Sequence, residues 1–505
     1  MRILFTSVNS LDENCSASVR NQGLLRGLHE LGHTVDVLCP APFEKGLNAD
    51  ASLASAAGEH AIHKTFWIPG LYLYTALRKK KCSTPKELDQ IKQVMGNDEN
   101  SIGKYERSER ELFRLGEKSG VGNGTACPGT QNRHVMSKAG GECTGIRSNN
   151  GSGFQNHREC ISPSVQPNLR KISGEVRCRT PRGGGGSDCL NLKSLLKKLF
   201  YSIFLYEPQG LNIQNLRLVE GINFSDYDLI ISSSDPKASH RLGEEVKKRA
   251  PQAKWVQYWG DPMLLDMTKH FTGLRKIRVR REEARLLSMA DGVVYVSPFT
   301  MQVQKETFPD AAAKMFWVNQ AAMPTERVIT PNRGNVPADI FSIGYFGQYT
   351  DTIRNMHPLY QAVTEMQGIH LTIGGAGDVE FPPAKQATIL GKLPYTEVLE
   401  REAGCDAVIC VCNRSGTQIP GKVYYSAASS KPVIVVLDGE KADEMEDYFR
   451  QFDRFILCRN CVDDIKKALQ FAKEQVASGR TYLLPEQLRP EFVGKRFLEC
   501  AGMMA

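Results

Sequence analysis

Short β-branched segments alternate with helical patterns in two blocks of the chain, and this alternation restricts the possible folds more than any other feature. In the first block, residues 2–9 are predicted to form a buried strand, a helix runs to about Leu31 and stops at Gly32, and residues 33–39 form a second strand. Further strands are expected at residues 228–233, 254–258 and 292–297, then in the second block at residues 341–347, 370–373, 388–391, 406–412 and 433–436. This order predicts an α/β protein with two doubly wound parallel-sheet domains that face a cleft.

The length of the chain also requires more than one domain, because 505 residues are too many for a single hydrophobic core. Residues 1–318 are predicted to form the first domain and residues 338–487 the second. The intervening segment, residues 319–337, is rich in Pro, Asn and Gly and is expected to be a hinge.

Composition indicates a globular protein of the cytoplasm. Hydrophobic residues make up 41% of the chain, the net charge is +8, and no run of about 18 apolar residues could span a membrane. The N-terminus passes directly into a strand pattern without a cleavage-type segment, so no signal peptide is predicted. The 14 cysteines form no regular framework, which favours free thiols over disulfides.

Residues 82–190 interrupt the first domain with a different composition. Gly, Ser, Asn and charged residues dominate this stretch, which contains the run Gly183 to Gly186, and apolar periodicity is lost. This composition predicts a low-complexity, disordered insertion that acts as a solvated spacer. Its basic character lacks the aromatic residues that nucleic-acid binding requires, so no nucleic-acid partner is predicted.

The two segments that flank this insertion combine aromatic residues with clustered Lys and Arg. They cover residues 66–81 and residues 193–206. Apolar area beside positive charge suits an element that binds the surface of an anionic membrane. The alternative is that both segments are core helices, each with a solvated basic end.

Residues 416–435 form a glycine-bearing loop, a short helix of small residues and tyrosines, and a strand that begins after Lys431-Pro432. The start of a helix presents unpaired N–H groups, and Lys422 adds a full positive charge beside Gly421. The stretch therefore favours a site for an anion such as phosphate. An ordinary helix–strand connection with a solvated lysine is the alternative.

Ligands of a doubly wound sheet bind beyond the carboxyl ends of its strands. In the first domain the residues expected around this crevice are Ser233, Ser234, Asp235, Trp259, Gly260, Asp261 and Ser297. The first turn carries Ser16-Ala17-Ser18 instead of a glycine-rich dinucleotide fingerprint, so a Rossmann cofactor is not expected. The small residues still allow a ligand to approach the helix start.

Two motifs that can bind metals elsewhere receive structural assignments. Asp226-Tyr227-Asp228 precedes a strand, at the sheet edge opposite the expected crevice, and is rejected as a metal site. Cys458 and Cys461 form a lone C-x-x-C without a second pair, which favours structural thiols.

Several motifs of the second block resemble those of GT-B fold glycosyltransferases of family 4, particularly bacterial surface-polysaccharide transferases. They are Gly344-x-x-Gly347, Gly374-Gly375-Ala376-Gly377-Asp378, Asp406-Ala407-Val408, Pro420-Gly421-Lys422 and Lys431-Pro432-Val433-Ile434. The resemblance implies two Rossmann-like domains, of which the second holds a nucleotide sugar and the first presents the acceptor. It also implies that residues 488–505 form a helix that crosses back to the first domain.

The resemblance implies roles for individual residues as well. Arg354 matches the basic residue that contacts the diphosphate, with Lys422 as a second cation. Asp261 is the polar candidate to bind the donor sugar or an acceptor hydroxyl, although Asp261-Pro262 also fits a helix N-cap. The donor-binding set is Gly347, Gln348, Gly375, Gly377, Thr417, Gln418, Gly421 and Tyr425, and the acceptor-side set is Ser16, Ser18, Ser233 and Trp259.

Four positions depart from the family pattern. Thr417 and Tyr425 stand where the family has two glutamates, the second of which holds the ribose of the nucleotide. Gln348 stands where some members have an arginine, and Gly260 where many have a histidine. Tyr425 could replace the ribose contact by a hydroxyl bond, or the contact is lost.

The implied activity is retaining transfer of a sugar from a nucleotide diphosphate donor to a glycan or polyprenyl-linked acceptor, at the cytoplasmic face of a membrane. No metal and no cofactor are expected, since side chains and helix dipoles neutralise the leaving phosphate in this fold. The leaving phosphate itself would take the acceptor proton in a front-face route. The alternatives are a nucleotide-sugar 2-epimerase on the same fold and a degenerate transferase that binds a nucleotide sugar or a partner without turnover.

Overall fold

The computed structural model describes residues 1–9, 11, 15–40, 61–69, 205–322 and 329–504. These residues belong to one compact unit that spans Met1–Ser83 and Lys193–Ala505. A second unit, Thr84–Leu192, lies wholly outside the described residues. The insertion predicted at residues 82–190 therefore lies outside them too.

The first domain contains a seven-stranded parallel sheet. Its strands are β1 (Arg2–Thr6), β2 (Thr34–Pro40), β3 (Lys64–Ile68), β4 (Leu229–Ser233), β5 (Lys254–Trp259), β6 (Gly292–Tyr295) and β7 (Met315–Trp317). They pair in the order β3-β2-β1-β4-β5-β6-β7. The chain thus starts at the centre of the sheet, builds one half outward and returns to build the other, which defines a doubly wound sheet.

Helices cover both faces of this sheet. They are α1 (Ser16–Glu30), α2 (Ala238–Lys247), α3 (Gly273–Met289) and α4 (Pro298–Thr307), with 3-10 helices at Pro208–Leu218, Phe224–Asp226 and Pro309–Lys314. In α1 the leucines at 24, 25 and 28 are fully buried against the strands. The helix ends where Gly32 adopts a φ of +78°, a left-handed conformation that suits glycine.

The second domain repeats the same winding with six parallel strands. These are β8 (Phe341–Phe346), β9 (Ile369–Gly374), β10 (Ala387–Gly391), β11 (Ala407–Val411), β12 (Val433–Leu437) and β13 (Phe455–Arg459), in the order β10-β9-β8-β11-β12-β13. Its helices are α5 (His357–Thr364), α6 (Tyr395–Gly404), α7 (Gly421–Ser426), α8 (Ala442–Arg450) and α9 (Val462–Ala477). The predicted pair of doubly wound parallel sheets is confirmed.

A last helix, α10 (Pro490–Cys500), packs against α1 of the first domain after a short 3-10 turn at Glu486–Leu488. Val493 and Phe497 join the same buried cluster as Leu24. The two backbones are in direct contact, because a Cβ atom added at Gly27 would lie 1.9 Å from the carbonyl oxygen of Pro490. The end of the chain therefore completes the core of the first domain.

The segment that precedes the insertion begins as a strand and not as the core helix that was one of its two interpretations. Residues 64–68 are the edge strand β3, with Phe66 and Ile68 buried and Trp67 39% exposed. Successive side chains of a strand point to opposite faces, so only alternate residues reach the core. The remaining flank residues, 70–81 and 193–204, lie outside the described part of the chain.

The described ends of the predicted hinge are hydrogen-bonded to the second domain. The Asn319 side chain accepts a 2.6 Å hydrogen bond from Tyr448, and Arg333 pairs with Asp406 at 2.8 Å. Residues 323–328 of this segment lie outside the described residues. A hinge between these two attachments stays a prediction.

The contact between α1 and α10 makes a testable stability prediction. Ala usually stabilises a helix relative to Gly by about 1 kcal/mol, but Gly27→Ala should instead lower the melting temperature, because the added Cβ meets backbone that cannot rotate away. Gly292→Ala is the matched control, since its Cβ would find only ordinary contact at 3.5 Å with Val256. A Gly27→Ala protein that melts at or above the wild-type temperature in calorimetry would contradict this packing.

Candidate functional site

A cavity of about 520 Å³ lies between the two domains, at the carboxyl ends of their strands. Its volume falls within the range of small-molecule sites, roughly 300–1,000 Å³. The first domain contributes Cys15, Ser16, Val19, Arg20, Gly260, Asp261, Asp266, Met267, Thr268 and Gln320. The second contributes residues 346–350, Ile353, Arg354, residues 374–376, Lys392, Leu393, Tyr395, Val398, Asn413, residues 418–422 and Tyr425.

Closely packed glycine turns after β8 and β9 form one wall of the cavity. Gly375 has a φ of +155°, and a Cβ there would lie 1.9 Å from the carbonyl oxygen of Gly347. The N–H of Gly347 donates a 2.9 Å hydrogen bond to Gly374, which holds the two turns together. Gly377 instead packs under the ring of Tyr349 and does not line the cavity. This wall presents backbone to a ligand, as close approach to a nucleotide requires.

Arg354 reaches the cavity from the loop after β8. Its Nε donates to Asn413 Oδ1 at 2.9 Å, and its Nη1 donates to the carbonyl oxygen of Gln348, also at 2.9 Å. Asn413 is oriented in turn by donating to the carbonyl of Gln418 at 2.9 Å. Among the described residues no carboxylate forms an ion pair with Arg354, so two neutral groups aim an uncompensated cation at the cavity.

Lys422 also lines the cavity, but its charge is compensated. Its ammonium lies 2.6 Å from Glu402 of α6. Lys422 lies in the first turn of α7, which has only six residues. The dipole of this short helix is therefore weaker than the sequence pattern suggested. An anion at this point would therefore be attracted mainly by side chains, and would compete with Glu402 for Lys422.

Thr417 and Tyr425, two of the residues predicted to bind the donor, contact the first domain. The carbonyl oxygen of Thr417 accepts hydrogen bonds from Ser297 at 2.8 Å and Thr300 at 3.1 Å, and Thr417 does not line the cavity. The Tyr425 hydroxyl lies 2.9 Å from the carbonyl oxygen of Ser16 and 2.8 Å from Gln320 Oε1. Both residues join the domains in this conformation.

The first-domain wall contains a group of three carboxylates around one lysine. Lys237 is 2% exposed and pairs with Asp235 and, at 3.4 Å, with Asp266. Burial, with Asp235 beside it, raises the pKa of Asp261 to about 7, and the Lys237 ammonium opposes that rise. The helix N-cap interpretation of Asp261 is wrong, because the next helix begins only at Gly273. Asp261 can therefore bind a hydroxyl in either protonation state near neutral pH.

Of the four acceptor-side candidates, Ser16 lines the cavity. Ser18 is buried, with its hydroxyl 3.3 Å from Cys15 Sγ, and Ser233 is buried and donates to Asn21 Oδ1 at 2.6 Å. Trp259 is fully buried, and its ring stacks on His240 at 4.0 Å. Its side chain points from the end of β5 into the core, a direction that its position in the sequence does not reveal.

The two short motifs that were rejected as metal sites have structural roles. Arg2 pairs with Asp226 at 2.8 Å, and the N–H of Arg2 donates to Asp228, at the sheet edge opposite the cavity. Burial raises the pKa of Cys458 to about 12, the opposite of what a redox-active thiol needs. Within the described ranges no three His, Cys, Asp or Glu side chains group as a metal site would require.

Sequence reasoning missed three cavity residues that organise the site: Arg20, Asn413 and Gln320. Arg20 is a charged residue within the buried pattern of α1, which was the available signal. Asn413 follows β11, at the point where the strand order reverses beside β8. Gln320 belongs to the segment between the domains, and no local pattern marks it.

Two facing doubly wound domains with the cavity between them define the GT-B architecture. No protein-family model matches the chain, and no curated protein matches it. Among solved structures it is similar to sucrose-phosphate synthase from Thermosynechococcus elongatus, with 14% identity over 61% of this chain and 74% of that chain and a TM-score of 0.39.

Two further solved structures are similar to the chain. HepE from Anabaena in complex with UDP-glucose shares 14% identity over 61% of this chain and 86% of that chain, with a TM-score of 0.35. The glycotransferase of kitacinnamycin shares 10% identity over 99% of this chain and 97% of that chain, with a TM-score of 0.41. At these identities and TM-scores the similarities assign no function, which has to be argued from the site.

The hydroxyl of Tyr425 should help to hold the domains together. Tyr425→Phe removes a hydroxyl whose one proton is shared between the Ser16 carbonyl oxygen and Gln320 Oε1, a hydrogen bond worth about 0.5–1.5 kcal/mol. We expect a larger radius of gyration in small-angle scattering. Tyr424→Phe is the matched control, because its hydroxyl bonds Tyr448 inside the second domain. Equal scattering from both variants would argue against the contact.

The raised pKa of Asp261 predicts how stability depends on pH. An unfolded aspartate loses its proton near pH 3.9, whereas folded Asp261 keeps it until about pH 7. Between these values the native state binds more protons, so the free energy of unfolding falls as pH rises. Asp261→Asn, which resembles the protonated form, should flatten the curve of melting temperature against pH in this window.

Glu283 should contribute in the same direction, since burial also raises its pKa to about 7. Glu283→Gln is therefore expected to reduce the slope of melting temperature against pH as well. Asp310→Asn, at an exposed carboxylate, should leave the curve unchanged. If Asp261→Asn retained the full wild-type slope, Asp261 would be ionised throughout and the assignment would be wrong.

Proposed function

We propose that the protein is a GT-B glycosyltransferase that moves a sugar from a nucleoside diphosphate donor to an acceptor. The observation that carries this proposal is the cavity between the strand ends, where Arg354 has no carboxylate partner among the described residues. Asn413 and Gln348 fix the guanidinium in one orientation. A guanidinium held this way suits two oxygens of a phosphate.

In this proposal the nucleoside diphosphate lies against the glycine turns at 347 and 375, with its phosphates at Arg354 and Lys422. When the bond from the sugar to the phosphate breaks, negative charge develops on the leaving diphosphate. A preorganised cation stabilises that charge more in the transition state than in the bound donor. Lys422 would transfer its contact from Glu402 to the phosphate, so Glu402 acts as a counter-charge that keeps Lys422 in place before the donor binds.

We further propose that transfer retains the anomeric configuration by a front-face route. The leaving phosphate would accept the proton of the acceptor hydroxyl, and Asp261 would position the donor sugar or that hydroxyl from the opposite wall. Side-chain cations would serve in place of a metal. The anomeric configuration of the product, read by NMR, distinguishes this route from inversion.

The finer assignments are proposals that follow the resemblance: family 4, a hexosyl donor, and a glycan or polyprenyl-linked acceptor of a surface polysaccharide. Peripheral contact with the cytoplasmic face of a membrane through residues 66–81 and 193–206 belongs with them. None of the described helices is both long and apolar enough to cross a bilayer.

One observation favours a second candidate, a protein that binds a nucleotide sugar without turnover. Thr417 and Tyr425 replace the family's glutamates and are engaged with Thr300, Ser16 and Gln320. A ribose contact at Tyr425 would require those bonds to break. The 2-epimerase alternative also gains an ionisable group near neutral pH in Asp261. Donor consumption separates the candidates, since a binder saturates without release of product.

Titration with a panel of nucleoside diphosphates and nucleotide sugars tests the donor site, because a ligand that binds the folded state raises the melting temperature. We expect one base to stabilise the wild type, and Arg354→Ala to weaken binding by at least about tenfold, as the loss of a charged hydrogen bond predicts. Lys422→Ala should weaken binding less. Glu402→Gln should strengthen it, because the phosphate no longer competes for Lys422.

Arg450→Ala serves as the control, since it removes an exposed cation of the same domain outside the cavity. Stabilisation that survives in Arg354→Ala would place the nucleotide elsewhere. A wild-type protein that no nucleotide stabilises would refute the donor site.

A further inference from the structure

Arg20 is a buried cation in the cavity wall that has no carboxylate partner in the part of the chain that the structure describes. It lies on α1, is 4% exposed and lines the cavity. Its Nη2 donates to Ser233 Oγ at 3.1 Å and to Asn21 Oδ1 at 3.4 Å, and its guanidinium lies 5.2 Å from the ring centroid of Tyr258. These groups are neutral, and among the described residues no carboxylate pairs with Arg20. Its Nε has no hydrogen-bond partner among these residues either.

Two other cations are buried among the described residues, and unlike Arg20 neither of them lines the cavity. Lys237, in the same domain, pairs with Asp235 and Asp266. Arg454, 1% exposed in the second domain, donates to three backbone carbonyl oxygens, those of Ala427, Ser429 and Lys431. A guanidinium cannot lose its proton, so burying it without an anion carries a large desolvation cost. An anionic ligand that binds Arg20 would offset this desolvation cost.

Gly260 makes room for this guanidinium at the end of β5. A Cβ added there would lie 1.8 Å from Arg20 Nη1 and 2.9 Å from its Cζ. Arg20 therefore occupies the space that a side chain at position 260 would fill. The N–H of Gly260 donates to Ser234 Oγ at 3.1 Å, which holds this backbone in place. Nε and Nη1 make no hydrogen bond to a described residue, so each keeps an N–H group that can donate to an anion.

We infer that Arg20 binds an anionic group of the acceptor, a phosphate or a carboxylate, on the first-domain wall of the cavity. This inference rests on the proposed function and deepens it by giving the acceptor a negative charge. Arg20 is held by residues at the carboxyl ends of β4 and β5, whereas Arg354 is held by residues that follow β8 and β11. Each wall thus has its own uncompensated cation, one for the donor diphosphate and one for the second substrate.

The test measures the binding of inorganic phosphate to the full chain by equilibrium dialysis, without nucleotide and with a saturating nucleoside diphosphate. We expect saturable millimolar binding that persists when the nucleotide occupies the donor site. Arg20→Gln should weaken it by at least about tenfold, and Arg20→Lys should restore part of it. Competition by methyl phosphate against acetate shows which anion the site prefers.

Gly260→Ala is a second variant that keeps the charge. Its Cβ displaces the guanidinium, so phosphate binding should fall as it does in Arg20→Gln. Arg450→Ala is the control and should leave phosphate binding unchanged, because it removes an exposed cation outside the cavity. The melting temperature without ligand adds an independent readout: Arg20→Met should melt no lower than the wild type, because it removes a buried charge that lacks a partner.

Three outcomes would overturn the inference. One is a wild-type protein without saturable phosphate binding, and another is equal binding by wild type and Arg20→Gln. The third is Arg20→Gln that loses affinity for the nucleoside diphosphate itself, which would assign Arg20 to the donor site. Failure of nucleotide binding in the wild type refutes the proposed function separately, because the phosphate titration does not require nucleotide.

Discussion

Parallel pairing of the strands in both sheets is the constraint on which the site depends. Parallel strands need a crossover after each strand, so the helices cover both faces and the carboxyl ends collect at one edge. In each domain the strand order reverses beside the first strand, which leaves a crevice there. The two crevices face each other across the cavity, where hydrogen bonds of Thr417 and Tyr425 cross between the domains. Helix α10 closes the core of the first domain from the other end of the chain.

Two arginines of the cavity wall have no carboxylate partner among the described residues. Lys237 pairs with two carboxylates, and Arg454 donates to three backbone carbonyl oxygens while its Nη1 has no partner among the described residues. Arg20 and Arg354 are instead oriented by neutral hydroxyl, amide and carbonyl groups, and both line the cavity. Neutral partners fix a guanidinium without cancelling its charge. Each wall of the cavity therefore presents one guanidinium that can pair with an anion, and on the first-domain wall the carboxylates of Asp261 and Asp266 line the cavity as well.

The fold could be predicted from the sequence because it depends on local periodicity. Apolar segments of strand length, separated by helical patterns, specify the alternation, and the strand bounds differ from prediction by a few residues. The edge strand β3 was missed, because its aromatic residues and neighbouring basic cluster suggested a membrane element or a helix. Strand ends locate a crevice, but they do not specify which way a side chain points. Trp259 and Asp261 are two residues apart, yet one is in the core and the other lines the cavity.

The sequence by itself determined the two doubly wound sheets, the glycine turns after β8 and β9, and a basic residue in the loop after β8, because each depends on residues close together in the chain. Only the tertiary structure decided which charges are compensated. Glu402 reaches Lys422, three carboxylates surround Lys237, and Arg20 fills the space beside Gly260 through contacts between residues far apart in sequence. Electrostatic pairing depends on distance in space, so no local pattern could distinguish the lysine that pairs with Glu402 from the two cavity arginines that meet no carboxylate among the described residues.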